Sequence, residues 1–182
     1  VQIIDQHCAF IPFNFNKKFS QIKDLLIINS GLLDLRVDDF RVFFKMEKLN
    51  LAKNKLTVVQ GDIFEVNMKT LEFLDLSENN IATIEDNVFD NLESLKEIKL
   101  NNNILESIKS NIFAKNLQLK TVYFQDNRLN EISGSLLTQV EAITFADFSN
   151  NVCLNATLPD TKITPEIISK CSSPITFTCE YV

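Results

Sequence analysis

The stretch LEFLDLSENNIATI, residues 71–84, sets leucine or isoleucine at 71, 74, 76, 81 and 84 around an asparagine at 79. The phrase returns as LKEIKLNNNILESI at 95–108, with Asn103 in the same place. Working outward, the mark falls at Asn54, Asn79, Asn103, Asn127 and Asn151, with gaps of 25, 24, 24 and 24 residues. A fixed period of this size describes one structural unit stacked on copies of itself. Such a stack offers an extended surface, so binding rather than catalysis is the first functional expectation.

Apolar residues fall eight, five and three places before each mark and two, five and ten places after it. For Asn103 they are Leu95, Ile98, Leu100, Leu105, Ile108 and Phe113. An earlier unit carries Ser30 at the mark, with Ile22, Leu25, Ile27, Leu32, Leu35 and Phe40. The pair spaced by two, such as Leu74 and Leu76, has strand periodicity, with alternate residues facing in and out. Strands repeated every 24 residues stack in parallel, and the rest of each unit must return the chain through a short helical or irregular segment. The anchors ten places after the mark, Phe40, Phe64, Phe89, Phe113 and Leu137, are expected to form a continuous spine. That use accounts for much of the phenylalanine excess, 15 copies against no tryptophan.

The asparagine has its own physical reason. Where each strand turns inward, backbone N–H and C=O groups are buried without a sheet partner. A buried amide supplies both donors and an acceptor and bridges the neighbouring turn. Unpaired groups of this kind cost about 1–3 kcal/mol each.

Residues 46–141 contain the phrase LxxLxLxxNxL four times and resemble the leucine-rich repeat family; the resemblance covers about 20–155 well and the two ends loosely. It implies an α/β fold: a right-handed horseshoe solenoid with a parallel concave sheet, an irregular or short-helical convex side and terminal caps. The expected organisation is a single domain, 1–182. It comprises a degenerate cap repeat at 1–19, repeats at 20–152 and a cysteine-bearing C-terminal cap at 153–182. The segments HCAFIPFNF, NSGLLDL and SNNVCLNATL are similar to those of secreted insect leucine-rich repeat proteins, immune ones among them. Immune members of that group often continue into a coiled coil, which this sequence does not show.

Shifting back 24 residues from Ser30 puts Val1 and Ile3 in strand columns, Gln6 at the mark, and Cys8 and Ile11 in core columns. Two roles fit Cys8, a buried free thiol or half of a cap disulfide to a cysteine upstream of Val1. Cys153 occupies an inward column two places after Asn151. Beyond it, TPEIISKC reads as a short capping helix with Thr164 as N-cap and Pro165 at its first position. A Cys153–Cys171 bridge would pin this cap, worth roughly 3 kcal/mol in the chain-entropy model, and Cys179 is the competing partner. Strands about 4.8 Å apart hold Cys8 roughly 30 Å from these cysteines, beyond the roughly 7 Å that a disulfide allows between Cα atoms. One C-terminal cysteine is therefore left for a free thiol, an interchain bridge or a missing partner. The sequon Asn155-Ala156-Thr157 marks a glycosylation acceptor. Cysteines and sequon together predict an oxidising, extracellular setting. The opening at Val1 reads as that of a mature or trimmed product.

A net charge of −6 without basic clusters argues against nucleic acid or anionic lipid as partners. No apolar run approaches the roughly 18 residues that span a bilayer. His7 is the one histidine, and neither a metal-spaced Cys/His cluster nor a glycine-rich phosphate loop is present. Asp75 and Asp147 stand three strands apart, about 14 Å, whereas a catalytic carboxyl pair needs about 5–10 Å. The expectation is no enzyme, no cofactor and no metal.

The outward strand positions form a grid that is mostly polar. Phe73, Tyr123 and Phe145 break it, and aromatics ringed by polar groups are common interface anchors. With Asp75 and Lys99 they form the expected protein-binding set on the concave face. Leu26 and Ile28 make a second apolar spot near the N-terminal end. The sequence reading is thus a secreted recognition module, possible in innate immunity by its resemblance, that binds another protein. The alternative is a receptor or adhesion ectodomain fragment that acts by dimerising.

Overall fold

A computed structural model describes residues 1–153 apart from 13, 62, 65, 110, 133–135 and 137–141. Along the chain run β1 (Gln2–Ile4), α1 (Phe15–Lys18), β2 (Asp24–Ile28), α2 (Val37–Phe40), β3 (Lys48–Asn50), β4 (Val58–Val59), β5 (Phe73–Asp75), β6 (Thr83–Ile84), β7 (Glu97–Lys99), β8 (Ser107–Ile108), β9 (Thr121–Tyr123), β10 (Glu131–Ile132) and β11 (Phe145–Asp147). Seven of these strands form one parallel sheet in the order β1-β2-β3-β5-β7-β9-β11. Register follows the repeat column for column: Lys48 pairs with Phe73, Phe73 with Glu97, Glu97 with Thr121 and Thr121 with Phe145. The chain is therefore a solenoid of about six turns, one face of which is the sheet.

The inward columns are closed to solvent. Leu74, Ile98 and Val122 on the strands, and Leu56, Ile81, Leu105 and Leu129 after the marks, are fully buried in one continuous cluster. Five places after the mark, the expected irregular return instead forms two further small parallel ladders, β4 with β6 and β8 with β10. Val59, Ile84, Ile108 and Ile132 are β-branched, which suits extended backbone. The one 25-residue unit carries its extra residue between Phe64 and Leu71. That segment holds a 3-10 turn, Val66–Met68, so the sheet register is undisturbed.

The phenylalanine spine runs as an unbroken file. Ring centroids are 6.0 Å apart for Phe40 and Phe64, 6.1 Å for Phe64 and Phe89, and 5.7 Å for Phe89 and Phe113. Leu137 lies outside the described residues. Beyond Phe113 the aromatic file passes instead to strand-column residues, Phe124 at 6.2 Å and then Phe148 at 5.3 Å from Phe124.

Each mark asparagine is bonded as a bridge between turns, and all but the half-buried Asn151 are buried. Asn54 Oδ1 accepts from the N–H groups of Ser30 and Leu32, while its Nδ2 donates to the carbonyls of Ile27, Leu51 and Ala52. Asn79, Asn103, Asn127 and Asn151 repeat the pattern one turn on each time. Ser30 does part of the same work: its hydroxyl donates within the strand to Ile28 O at 2.9 Å and across to Ile3 O at 3.3 Å. A second ladder on the convex side was not read from the sequence. Asn67, Asn91 and Asn116 donate to the carbonyls of Arg41, Phe64 and Phe89 in the preceding turn. Its signal was present, asparagines 24 and 25 residues apart, but without an apolar frame around them.

The residue just before each mark has a left-handed backbone: Asp5, Asn29, Lys53, Glu78, Asn102, Asp126 and Asn150 all have φ between 49° and 59°. This conformation turns the chain inward while keeping its N–H on the next turn's carbonyl, as from Asn102 to Gln125 O at 3.0 Å. Asparagine and aspartate tolerate it better than other non-glycine residues. Asn102→Val is therefore expected to lower stability by about 1–3 kcal/mol, whereas Asn102→Gly stays within about 1 kcal/mol; urea denaturation of both variants checks this.

At the N-terminal end β1 pairs in the expected register, Ile3 with Ile27. Ile11 is buried and Ile3 packs on the core. Val1, expected inward, is 38% exposed. Gln6 at the mark is exposed and donates only to Ile4 O. Cys8 is a free thiol, half-buried rather than enclosed. Arg36 ties this end to the repeats through Ile11 O and the Asp39 carboxylate. At the other end Cys153 packs against the core and its N–H donates to Leu129 O. The cap helix from Thr164, the sequon at Asn155, and Cys171 and Cys179 with the pairings assigned to them lie outside the described residues.

Candidate functional site on the concave sheet

Four adjacent strands place the five expected anchors on one face. Phe73 and Asp75 lie on β5, Lys99 on β7, Tyr123 on β9 and Phe145 on β11. The parallel register brings them into a diagonal ribbon. Lys99 Nζ lies 5.4 Å from the Phe73 ring and 5.4 Å from the Tyr123 ring, so one ammonium bridges two aromatics across three strands. Glu97 on the same strand holds that ammonium at 3.5 Å. Tyr123 continues the ribbon to Phe145 at a centroid distance of 5.2 Å, with the rings inclined at 48°. All four side chains remain partly exposed. Cation–π contacts at such sites contribute roughly 0.5–1 kcal/mol each, a bias toward these rotamers.

Asp75 is placed differently from the others. It is only 7% exposed. Its Oδ1 accepts from the Ser77 N–H at 3.0 Å and the Ser77 hydroxyl at 2.6 Å, and its Oδ2 from Asn50 Nδ2 at 3.2 Å. It fixes the end of its own strand and forms the wall of the groove. Asn50 with Ala52, and Asp147 with Ser149, make the same turn in other repeats. A short polar acceptor four places before the mark is the sequence signal for this brace, which the outward-grid reading took as display.

A shallow groove of about 500 Å³ runs beside the ribbon, lined among others by Asn50, Lys99, Asn101, Tyr123 and Gln125. The Gln125 Oε1 atom at its floor is buried with no hydrogen-bond partner. Leu26 and Ile28 are half-buried, flanked in register by Gln2 and Ile4 of β1. The entry rim of the sheet carries alternating charges, Lys23 with Glu47 at 2.5 Å and Glu72 with Lys96 at 2.7 Å. Hydrogen bonding to Glu47 raises the Lys23 pKa above its ordinary value. These pairs are solvent-exposed and add little stability; they balance the rim's charge.

Another concavity, near the N-terminal end, is lined by Arg36, Asp38, Asp39 and Arg41. Two of its charge pairs are matched within the chain, Arg36 with Asp39 and Arg41 with Asp38, and Lys17 also lines it. Among the described residues no three His, Cys, Asp or Glu side chains assemble as metal ligands do. No helix among them is long and apolar enough to cross a membrane.

The comparisons with known proteins bear on the fold. Residues 44–105 fit a leucine-rich repeat family model. No curated protein matches the sequence. Among solved structures, the leucine-rich repeat domain of APL1 superposes with a TM-score of 0.76 at 21% identity, covering 84% of this chain and 40% of that one. The Toll–Spatzle complex from Drosophila, described as a hub in development and innate immunity, gives 0.68 at 19%, covering 78% and 18%. The TLR13–ssRNA13 complex gives 0.65 at 23%, covering 80% and 19%. This chain thus spans less than half the length of each. At these identities the likeness concerns architecture, and the architecture is the leucine-rich repeat solenoid, carrying its defining repeats at residues 44–105.

Proposed function

We propose that the chain is an extracellular recognition module that binds another protein through its concave sheet. The observation that carries this reading is the ribbon Phe73–Lys99–Tyr123–Phe145, in which three aromatics and a cation are pre-positioned on a mostly polar sheet face. Solvation alone gives no reason for large aromatics there, whereas interface hot spots combine such anchors with a polar surround. The four cysteines and the sequon at Asn155 support a secreted setting. A role in innate immunity rests on the sequence resemblance and on the immune context stated for the Toll–Spatzle structure.

The test is a Tyr123→Ala, Phe145→Ala double variant used as bait in extracellular fluid beside the wild-type chain, with mass spectrometry of what is retained. Each hot-spot truncation costs about 2 kcal/mol or more, so the wild-type partner should be lost at equal bait concentration. A nuclease-treated arm separates protein from nucleic acid. Retention of the same partner by a folded double variant would remove the concave-face site from consideration.

A further inference from the structure

The ribbon is asymmetric about Tyr123. On one side stands a resident cation, Lys99, sharing its charge with the Phe73 and Tyr123 rings and paired with Glu97. On the other side stand Phe145 and Asp147, two residues apart on β11 and so on the same face, with Asp147 directly opposite Tyr123 in the register. The groups that hold Lys99, two aromatic rings and a carboxylate, are thus present a second time as Tyr123, Phe145 and Asp147. Here no cation fills the place. Asp147 uses Oδ1 to accept the Ser149 N–H at 2.9 Å, and among the described residues no basic side chain pairs with it. Asp75, by contrast, has both oxygens bonded within the chain.

We propose that Tyr123, Phe145 and Asp147 receive the arginine head of a basic segment on the partner protein, a statement that rests on the concave-face reading above. Three features select this occupant. The chain carries a net charge of −6, so charge complementarity favours a basic partner and speeds its approach. Two rings inclined at 48° do not form a parallel slot, but a planar guanidinium stacks on one of them. Its remaining N–H donors can then reach a carboxylate at the edge, a geometry that a compact ammonium does not match. Lys99 on the near side repels a second cation from the Phe73 end, which confines the incoming charge to the Asp147 end.

The probe is fluorescein-labelled octa-arginine, with octalysine beside it, titrated into the full chain at low salt and followed by anisotropy. Octa-arginine should bind at least about threefold tighter than octalysine. Asp147→Asn and Phe145→Ala should each weaken it about five- to tenfold. Glu93→Gln makes the same charge change at an exposed pair with Lys69 and should stay within about twofold. Asp147→Asn keeps an acceptor for the Ser149 N–H, and thermal melts of every variant verify folding. Equal losses in Asp147→Asn and Glu93→Gln would reduce the effect to bulk charge and overturn the proposal. So would equal affinity for octalysine, or an unaffected Phe145→Ala. Loss of partner capture in the double variant without any arginine preference would remove this inference and leave the protein-binding reading standing. Arginine preference with capture retained would leave an arginine site that the captured partner does not use, and would overturn both the concave-face reading and this assignment.

Discussion

Replacing Asn103 by leucine is expected to lower the stability of the domain by about 2–3 kcal/mol, although leucine adds apolar surface to a buried site. Asn103 is 6% exposed. Its Oδ1 accepts the Ile81 N–H at 2.9 Å, and its Nδ2 donates to Leu76 O at 3.0 Å, Leu100 O at 3.1 Å and Asn101 O at 3.3 Å. The bonds join successive turns, so the variant leaves the buried Ile81 N–H without its partner, at about 1–3 kcal/mol, and takes one donor from each of three carbonyls that keep another, Leu76 O from Asn79, Leu100 O from Asn127 and Asn101 O from Glu78. The hydrophobic gain is smaller, because leucine's γ-methyls would face those polar groups rather than the apolar cluster. Asn103→Asp sharpens the test. It keeps an acceptor for Ile81 N but turns a donor into a carboxylate oxygen facing three carbonyls, so it should cost at least as much as leucine. Chemical denaturation, read as the shift in midpoint at constant slope, measures both. An unchanged midpoint for Asn103→Leu would refute the account of the ladder as a backbone bridge.

Phe89→Ala should cost about 3–5 kcal/mol. Phe89 is fully buried, with the Phe64 ring on one side and the Phe113 ring on the other at interplanar angles of 23° and 18°. Removing it deletes one buried side chain and two ring contacts, and the neighbours cannot close the gap. Their positions are set by parallel ladders on both sides of the turn, β5 with β7 in front and β4 with β6 behind. Phe89→Leu should cost less, about 1.5 kcal/mol, and the sequence itself places leucine in that column at Leu137. If alanine proved as mild as leucine, the spine would be filler rather than the axis of the stack. A Phe64→Ala, Phe89→Ala double-mutant cycle measures the coupling directly, since contacting residues deviate from additivity by about 0.5–3 kcal/mol.

Much of this architecture was legible because the repeat constrains every turn at once. A single leucine every few residues is ambiguous; four turns in the same phase are not. The period gave the register Phe73 to Glu97 to Thr121 to Phe145, the inward columns and the aromatic file as far as Phe113. Three features escaped it for separate reasons. The paired strands β4, β6, β8 and β10 are two residues long, too short for alternation to register. The convex asparagines Asn67, Asn91 and Asn116 are recognisable only once the fold brings the carbonyls of Arg41, Phe64 and Phe89 against them. The continuation of the spine through Phe124 and Phe148 depends on the depth of the stack at that end, which no column of residues records.

For the candidate site the division is finer. The sequence by itself determined that Phe73, Asp75, Lys99, Tyr123 and Phe145 stand on the outward side of parallel strands, because a period of two and a repeat of 24 leave no other placement. Only the tertiary structure decided what each one does there. Side-chain direction is fixed by local backbone, but reach across strands depends on rotamers and neighbours. Lys99 leans between Phe73 and Tyr123, and Tyr123 leans towards Phe145. Asp75 folds back onto Ser77 and leaves the display, while Asp147, absent from the expected set, bonds the Ser149 N–H through one oxygen and has no basic partner among the described residues. Which of two chemically identical carboxylates is spent inside the fold, and which remains available, is a property of three-dimensional contacts that a one-dimensional repeat does not encode.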